Sequence, residues 1–128
     1  MDYFDKKYQA EIKNKWENTK AYSEYTEKTK NYSDNKWQNL NENMNDILVE
    51  FANYLKEEEA PDSSLVQNLV KKLQDYITLN YYNCSDEILK NLGQMYVSDE
   101  RFKNNIDKNG NGTAKFISDA IEIYCSKA

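Results

Sequence analysis

Histidine is absent from the 128 residues, proline occurs once, cysteine twice and glycine three times. A missing imidazole removes the commonest general base and metal ligand, which argues against a metalloenzyme and a Ser/Cys-His nucleophile. No catalytic residues, metal or cofactor are expected. Cys84 and Cys125 are too few for a disulfide framework and are expected to remain thiols. No apolar run approaches the roughly 20 residues of a membrane span, and the start from Met1 to Lys7 lacks the apolar stretch of a signal peptide. A cytoplasmic protein without membrane contact is expected. Basic side chains number 17 against 22 acidic ones, a net charge of -5, and they are scattered. Direct nucleic-acid binding is not expected, because phosphate recognition needs concentrated positive charge.

What is plentiful is tyrosine: eleven of them, within an aromatic content of 13%. That content argues against wholesale disorder, and the length suits one domain. The reading is all-α, an orthogonal-to-antiparallel helical bundle. Residues 1–32 favour helix but carry few groups that pack. Phe4, Tyr8, Ile12 and Trp16 lie four apart in a stripe suited to a partner surface, yet between Ile12 and Leu40 no aliphatic residue exceeds Ala21. Ordering costs ~1–2 kcal/mol per residue, so this segment is expected to be a conditional lid that closes over a filled groove. An ordinary surface helix is the alternative. A helical core follows over residues 33–128.

Ser33 opens a helix expected over about 34–58, with Trp37, Leu40, Met44, Ile47, Leu48, Phe51 and Leu55 on one face. Pro61 marks the break before a second helix at about 63–80, carrying Val66, Leu69, Val70, Leu73, Tyr76 and Ile77. The third, 86–97, is capped by Ser85 and holds Gly93 inside it, where close approach of a neighbour explains a residue that costs helix stability. A short helix to about Ile106 follows Ser98 or Asp99, and the last spans about 113–126. Between them, Asp107 to Gly112 imitates the start of a calcium loop. Ser118 stands where that loop needs a bidentate glutamate, so a glycine-rich turn is the better reading.

Tyr81-Tyr82-Asn83-Cys84-Ser85 gathers two rings, a thiol and a helix start. Cys84 is expected to be half exposed, with the helix dipole lowering its pKa and Asp86 and Glu87 opposing that.

Two spaced patterns carry a family likeness. One is Tyr81-Tyr82-x-Cys84-Ser85-x-Glu87 followed by Met95-Tyr96-Val97-x-Asp99-x-Arg101-Phe102. The other is Lys15-Trp16-x-x-Thr19-x-Ala21-Tyr22 with Lys28-Thr29-x-x-Tyr32-Ser33-x-x-x-Trp37. Together they resemble the TipA-type antibiotic-recognition domain, the drug-sensing half of certain MerR-type transcription activators. The resemblance implies a globin-like arrangement of helices with a cleft. It implies a peptide-like thiopeptide antibiotic as partner, and Cys84 as the thiol that adds to a dehydroalanine of the drug. Cys125 matches no motif and is expected to be inert.

Ligand-binding candidates are Trp16, Tyr22, Trp37, Tyr81, Tyr82, Met95, Tyr96 and Phe102, although helical spacing explains Met95 and Phe102 equally as core. Departures from the pattern are Asn83 in place of proline, Asp86 in place of an aromatic, and Tyr76 at one usual histidine position. The function implied is binding of peptide-like antibiotics or other amphipathic small-molecule drugs, as the sensor of a MerR-type activator, whose DNA-binding domain would lie outside this chain, or as a stand-alone drug-sequestering protein. A helical protein-interaction module docking through the N-terminal stripe is the alternative from another class.

Overall fold

The computed structural model describes residues 19–126, and they form six helices. These are α1 Lys20–Thr29, α2 Asp34–Lys56, α3 Ser64–Asn80, α4 Asp86–Ser98, α5 Glu100–Asp107 and α6 Thr113–Ser126. Among the described residues there is no strand, as the 3.6-residue spacing predicts. Trp16 and the Phe4, Tyr8 and Ile12 stripe lie outside the described residues.

Most helix starts follow from side-chain caps. Thr19, Ser33, Ser63, Ser85 and Asp99 each accept from a backbone N–H in the first turn of the helix that follows. α6 starts differently. Asp107, the first oxygen of the calcium-like sequence, accepts from the Ala114 N–H at 2.8 Å, and Gly112 supplies the left-handed φ of 88° that turns the chain into the helix. α2 stops when Glu58 takes a φ of 63°, ahead of the break at Pro61.

α6 is the hub of the bundle, packing on α2, α3, α4 and α5. Its buried side chains include Phe116, Ile117, Ala120 and Ile121. They meet Leu48 and Phe51 of α2, Val66, Val70 and Leu73 of α3, Leu89 of α4 and Ile106 of α5 in one core. Gly93 is the point of closest approach between α4 and α6: a Cβ there would lie 3.2 Å from Cγ2 of Ile121. The glycine thus allows the two helices to pack backbone against side chain.

α1 joins this bundle through side chains. Lys28 Nζ lies 2.9 Å from the Thr78 carbonyl and 3.4 Å from that of Leu79, placing a cation on the open C-terminal end of α3. The Tyr32 hydroxyl donates to the Asn80 carbonyl at 2.7 Å, and Glu24 Oε2 accepts from the Asn83 N–H at 3.0 Å. Three anchors therefore seat the segment after Thr19 on the end of α3 and the loop that leads to Cys84.

Candidate functional site

The apolar part of this seat is a run of aromatic rings. Tyr81 is buried and stacks on Trp37 at 6.4 Å between centroids and 17° between planes, and on Tyr25 at 6.5 Å and 29°. Tyr22 extends the stack from Tyr25 at 6.2 Å. Tyr32 meets Trp37 edge-on at 5.3 Å, and Tyr76 meets Tyr81 edge-on at 6.1 Å. Offset and edge-to-face pairs of this kind add about 0.5–1.5 kcal/mol each beyond the area they bury. They provide the packing that the aliphatic-poor stretch before Leu40 lacks. Burial pushes the Tyr25 hydroxyl up to about 12, with Tyr22 adding to the effect, and raises Tyr81 further, again chiefly through burial.

Cys84 ends the loop that begins at Tyr81. Its side chain is 4% exposed, so the expectation of a half-exposed thiol is corrected. The position lies before the N-cap, but the loop turns the sulfur inward to the core that includes Tyr81 and Leu89. Burial pushes the thiol up to about 12, and the nearby Cys125 and Asp86 push in the same direction. The expected lowering by the helix dipole is therefore outweighed. The backbone of Cys84 is held from α3: its N–H donates to Thr78 Oγ1 at 3.1 Å, and its carbonyl accepts from Gln74 Nε2 at 3.0 Å. Cys125 is partly buried and its thiol donates to the Asp86 carbonyl at 3.3 Å.

The structure brings Tyr22, Trp37 and Tyr81 into one aromatic wall, with Tyr82 half-buried beside Asn83 and Cys84. Tyr96 and Phe102 stand apart from it. Their rings pair with each other at 5.9 Å and, like Tyr81, are buried. Met95 is half-buried against that core. Sequence reasoning did not single out Tyr25 and Tyr32 as site residues, although both were visible as rings needing burial. It did not name Glu24, and it named Lys28 only within the family pattern and not as an anchor, because their partners are backbone groups about 50 or more residues away.

The stacked rings of Tyr22, Tyr25, Tyr81 and Trp37 thus join α1 to α2 and to the loop that ends at the Cys84 thiol. The chain belongs to the TipAS antibiotic-recognition domain family, whose model matches residues 8–124. Over 120 residues it is 34% identical to the HTH-type transcriptional activator TipA of Streptomyces coelicolor, an alignment covering 94% of this chain and 47% of that protein. Over 107 residues it is 36% identical to the HTH-type transcriptional activator mta of Bacillus subtilis, covering 83% of this chain and 41% of that one. The chain thus spans less than half the length of these curated relatives. A solved structure of Streptomyces lividans TipAS in complex with nosiheptide, from a thiopeptide antibiotic multidrug resistance system, superposes with a TM-score of 0.84 at 34% identity. That match covers 93% of this chain and 83% of the other. Among the described residues no helix is long and apolar enough to cross a membrane.

Proposed function

We propose that this chain is an effector-binding domain that holds a thiopeptide-type antibiotic against the aromatic wall of Tyr22, Trp37, Tyr81 and Tyr82. The observation that carries the reading is the seat of α1 on the loop before Cys84, joining wall, roof and thiol in a member of this family. Residues 1–32 act as the lid and residues 33–128 as the body on which it closes. A ligand with greater affinity for the closed state drives that closure.

Cys84 is the attachment point. Its sulfur adds to the terminal methylene of a dehydroalanine: the C–S bond forms, the alkene π pair moves to the α-carbon, and the thiol proton ends there through solvent. No group leaves and no oxidant is needed. The drug is retained rather than turned over. DNA binding belongs to another segment, as in the longer relatives named as HTH-type activators, while a chain acting alone would sequester the drug.

Intact mass after incubation with a dehydroalanine-bearing thiopeptide tests this reading. An adduct on the wild type and none on Cys84→Ser is the expected result. Binding without any adduct would leave a reversible sensor, and no binding would overturn the ligand class.

A further inference from the structure

Gln74 lies half-buried on α3, and its amide is engaged on both sides. Nε2 is 3.0 Å from the Cys84 carbonyl and 2.8 Å from Asp86 Oδ1, and Oε1 accepts from the Tyr124 hydroxyl at 2.8 Å. One amide nitrogen has two hydrogens, so both acceptors are served at once. Reversing the amide would set its oxygen against a carbonyl and a carboxylate, so only the observed orientation is favourable. Four residues on, Thr78 accepts from the Cys84 N–H, on the same face of α3. The peptide groups on either side of the thiol are thereby fixed to one helix, and Tyr124 ties that helix to α6. Aromatic stacking accounts for Tyr81, but it does not explain why the chain between Tyr81 and the Ser85 cap turns sulfur inward.

We propose that Gln74 is the positioning residue of Cys84, holding the loop so that the thiol is withheld from free electrophiles and available only to a ligand already seated on the aromatic wall. This rests on the reading of Cys84 as the attachment point, and it adds a source of selectivity to it. A cytosolic thiol that reacts with any small alkylating agent would be consumed before a drug arrived. A buried sulfur 4% exposed avoids this, provided something keeps it buried.

The experiment is peptide-resolved alkylation by iodoacetamide of the folded wild type and of Gln74→Met, a near-isosteric change that removes the donors and the acceptor. In this reaction the C–S bond forms, iodide leaves and the thiol proton passes to buffer. Cys125 is the internal reference, and circular dichroism and the urea midpoint report folding. At least a tenfold faster modification of Cys84 in Gln74→Met, with Cys125 changed less than twofold, is expected. Tyr124→Phe, which removes only the hydroxyl that orients the amide, should give a smaller increase in the same direction. A Cys84 rate within twofold of wild type, or equal acceleration at both cysteines, overturns the proposal.

A second arm measures adduct formation with a dehydroalanine-bearing thiopeptide. The ratio of thiopeptide rate to iodoacetamide rate at Cys84 should fall at least tenfold in Gln74→Met, and an unchanged ratio also overturns the proposal. If the wild type forms no thiopeptide adduct, the attachment reading fails, and with it the proposed gating toward a seated drug. The iodoacetamide arm then still decides whether Gln74 positions the thiol.

Discussion

A thiol reacts through its thiolate, so the burial of Cys84 is a statement about rate. Its pKa is pushed from an ordinary 9.0 to about 12. Alkylation of Cys84 should keep rising by about tenfold per pH unit through the range where an exposed thiol levels off. A plateau near pH 9 would show that the sulfur is not held inside. The same shift has a stability consequence with a definite sign. Folded values raised above unfolded ones, as for Cys84 from 9.0 to about 12 and Tyr25 from 10.0 to about 12, favour the protonated form in the native state. Their contribution is complete below the unfolded pKa and lost as pH rises through the folded one. The urea midpoint is expected to be flat up to about pH 9 and to fall from there to about pH 12. Cys84→Ser should make the early part of that fall shallower, because it removes one of the two thiols, with Cys125, that titrate first when unfolded and are raised by burial when folded.

At the scale of elements, the interface of α4 and α6 depends on one missing side chain. A Cβ at Gly93 would stand 3.2 Å from Cγ2, 3.3 Å from Cβ and 3.3 Å from Cδ1 of Ile121, which is itself buried. Alanine gains about 1 kcal/mol in helix propensity and loses a similar amount to this crowding, so Gly93→Ala should lie within about 1 kcal/mol of wild type. Gly93→Leu has no such offset and should cost about 3 kcal/mol in urea unfolding, because the helices must separate. The five helices from α2 onward were legible because local signals specify them: a serine or aspartate cap for α2 to α5, the glycine-rich turn before α6, and an apolar residue every three or four positions in each. Gly93 was legible as a close approach for the same reason. The orientation of Cys84 was not. A cysteine outside an apolar stripe reads as exposed, and the hydrogen bonds that tie its backbone to Gln74 and Thr78 link positions ten and six residues apart across a helix end. The aromatic wall was half legible: its tyrosines clearly needed a surface, but the stacking partners Tyr25, Trp37 and Tyr81 come together only when α1 folds back across the end of α3.

For the whole molecule, the decisive property is how firmly α1 is seated. Its roof position rests on a ring stack, one carboxylate to a backbone N–H, and one exposed lysine on helix-end carbonyls. Exposed charged contacts contribute only about 0–1 kcal/mol each, so the rings supply most of the attachment and the polar anchors set its register. Elements held this way open at lower cost than the core, and a ligand lying between roof and wall adds contacts that exist only when α1 is closed. Amide hydrogen exchange should therefore slow by at least tenfold across residues 20–32 when a thiopeptide binds, with α6 changed far less. Tyr25→Ala should remove most of that protection and weaken binding by more than tenfold, because it breaks the stack at its centre while leaving the core intact. If a thiopeptide leaves exchange in residues 20–32 unchanged, α1 is an ordinary surface helix and the lid is lost as an explanation. If a protein partner slows that exchange where thiopeptides fail, the segment is a docking element and the chain an interaction module.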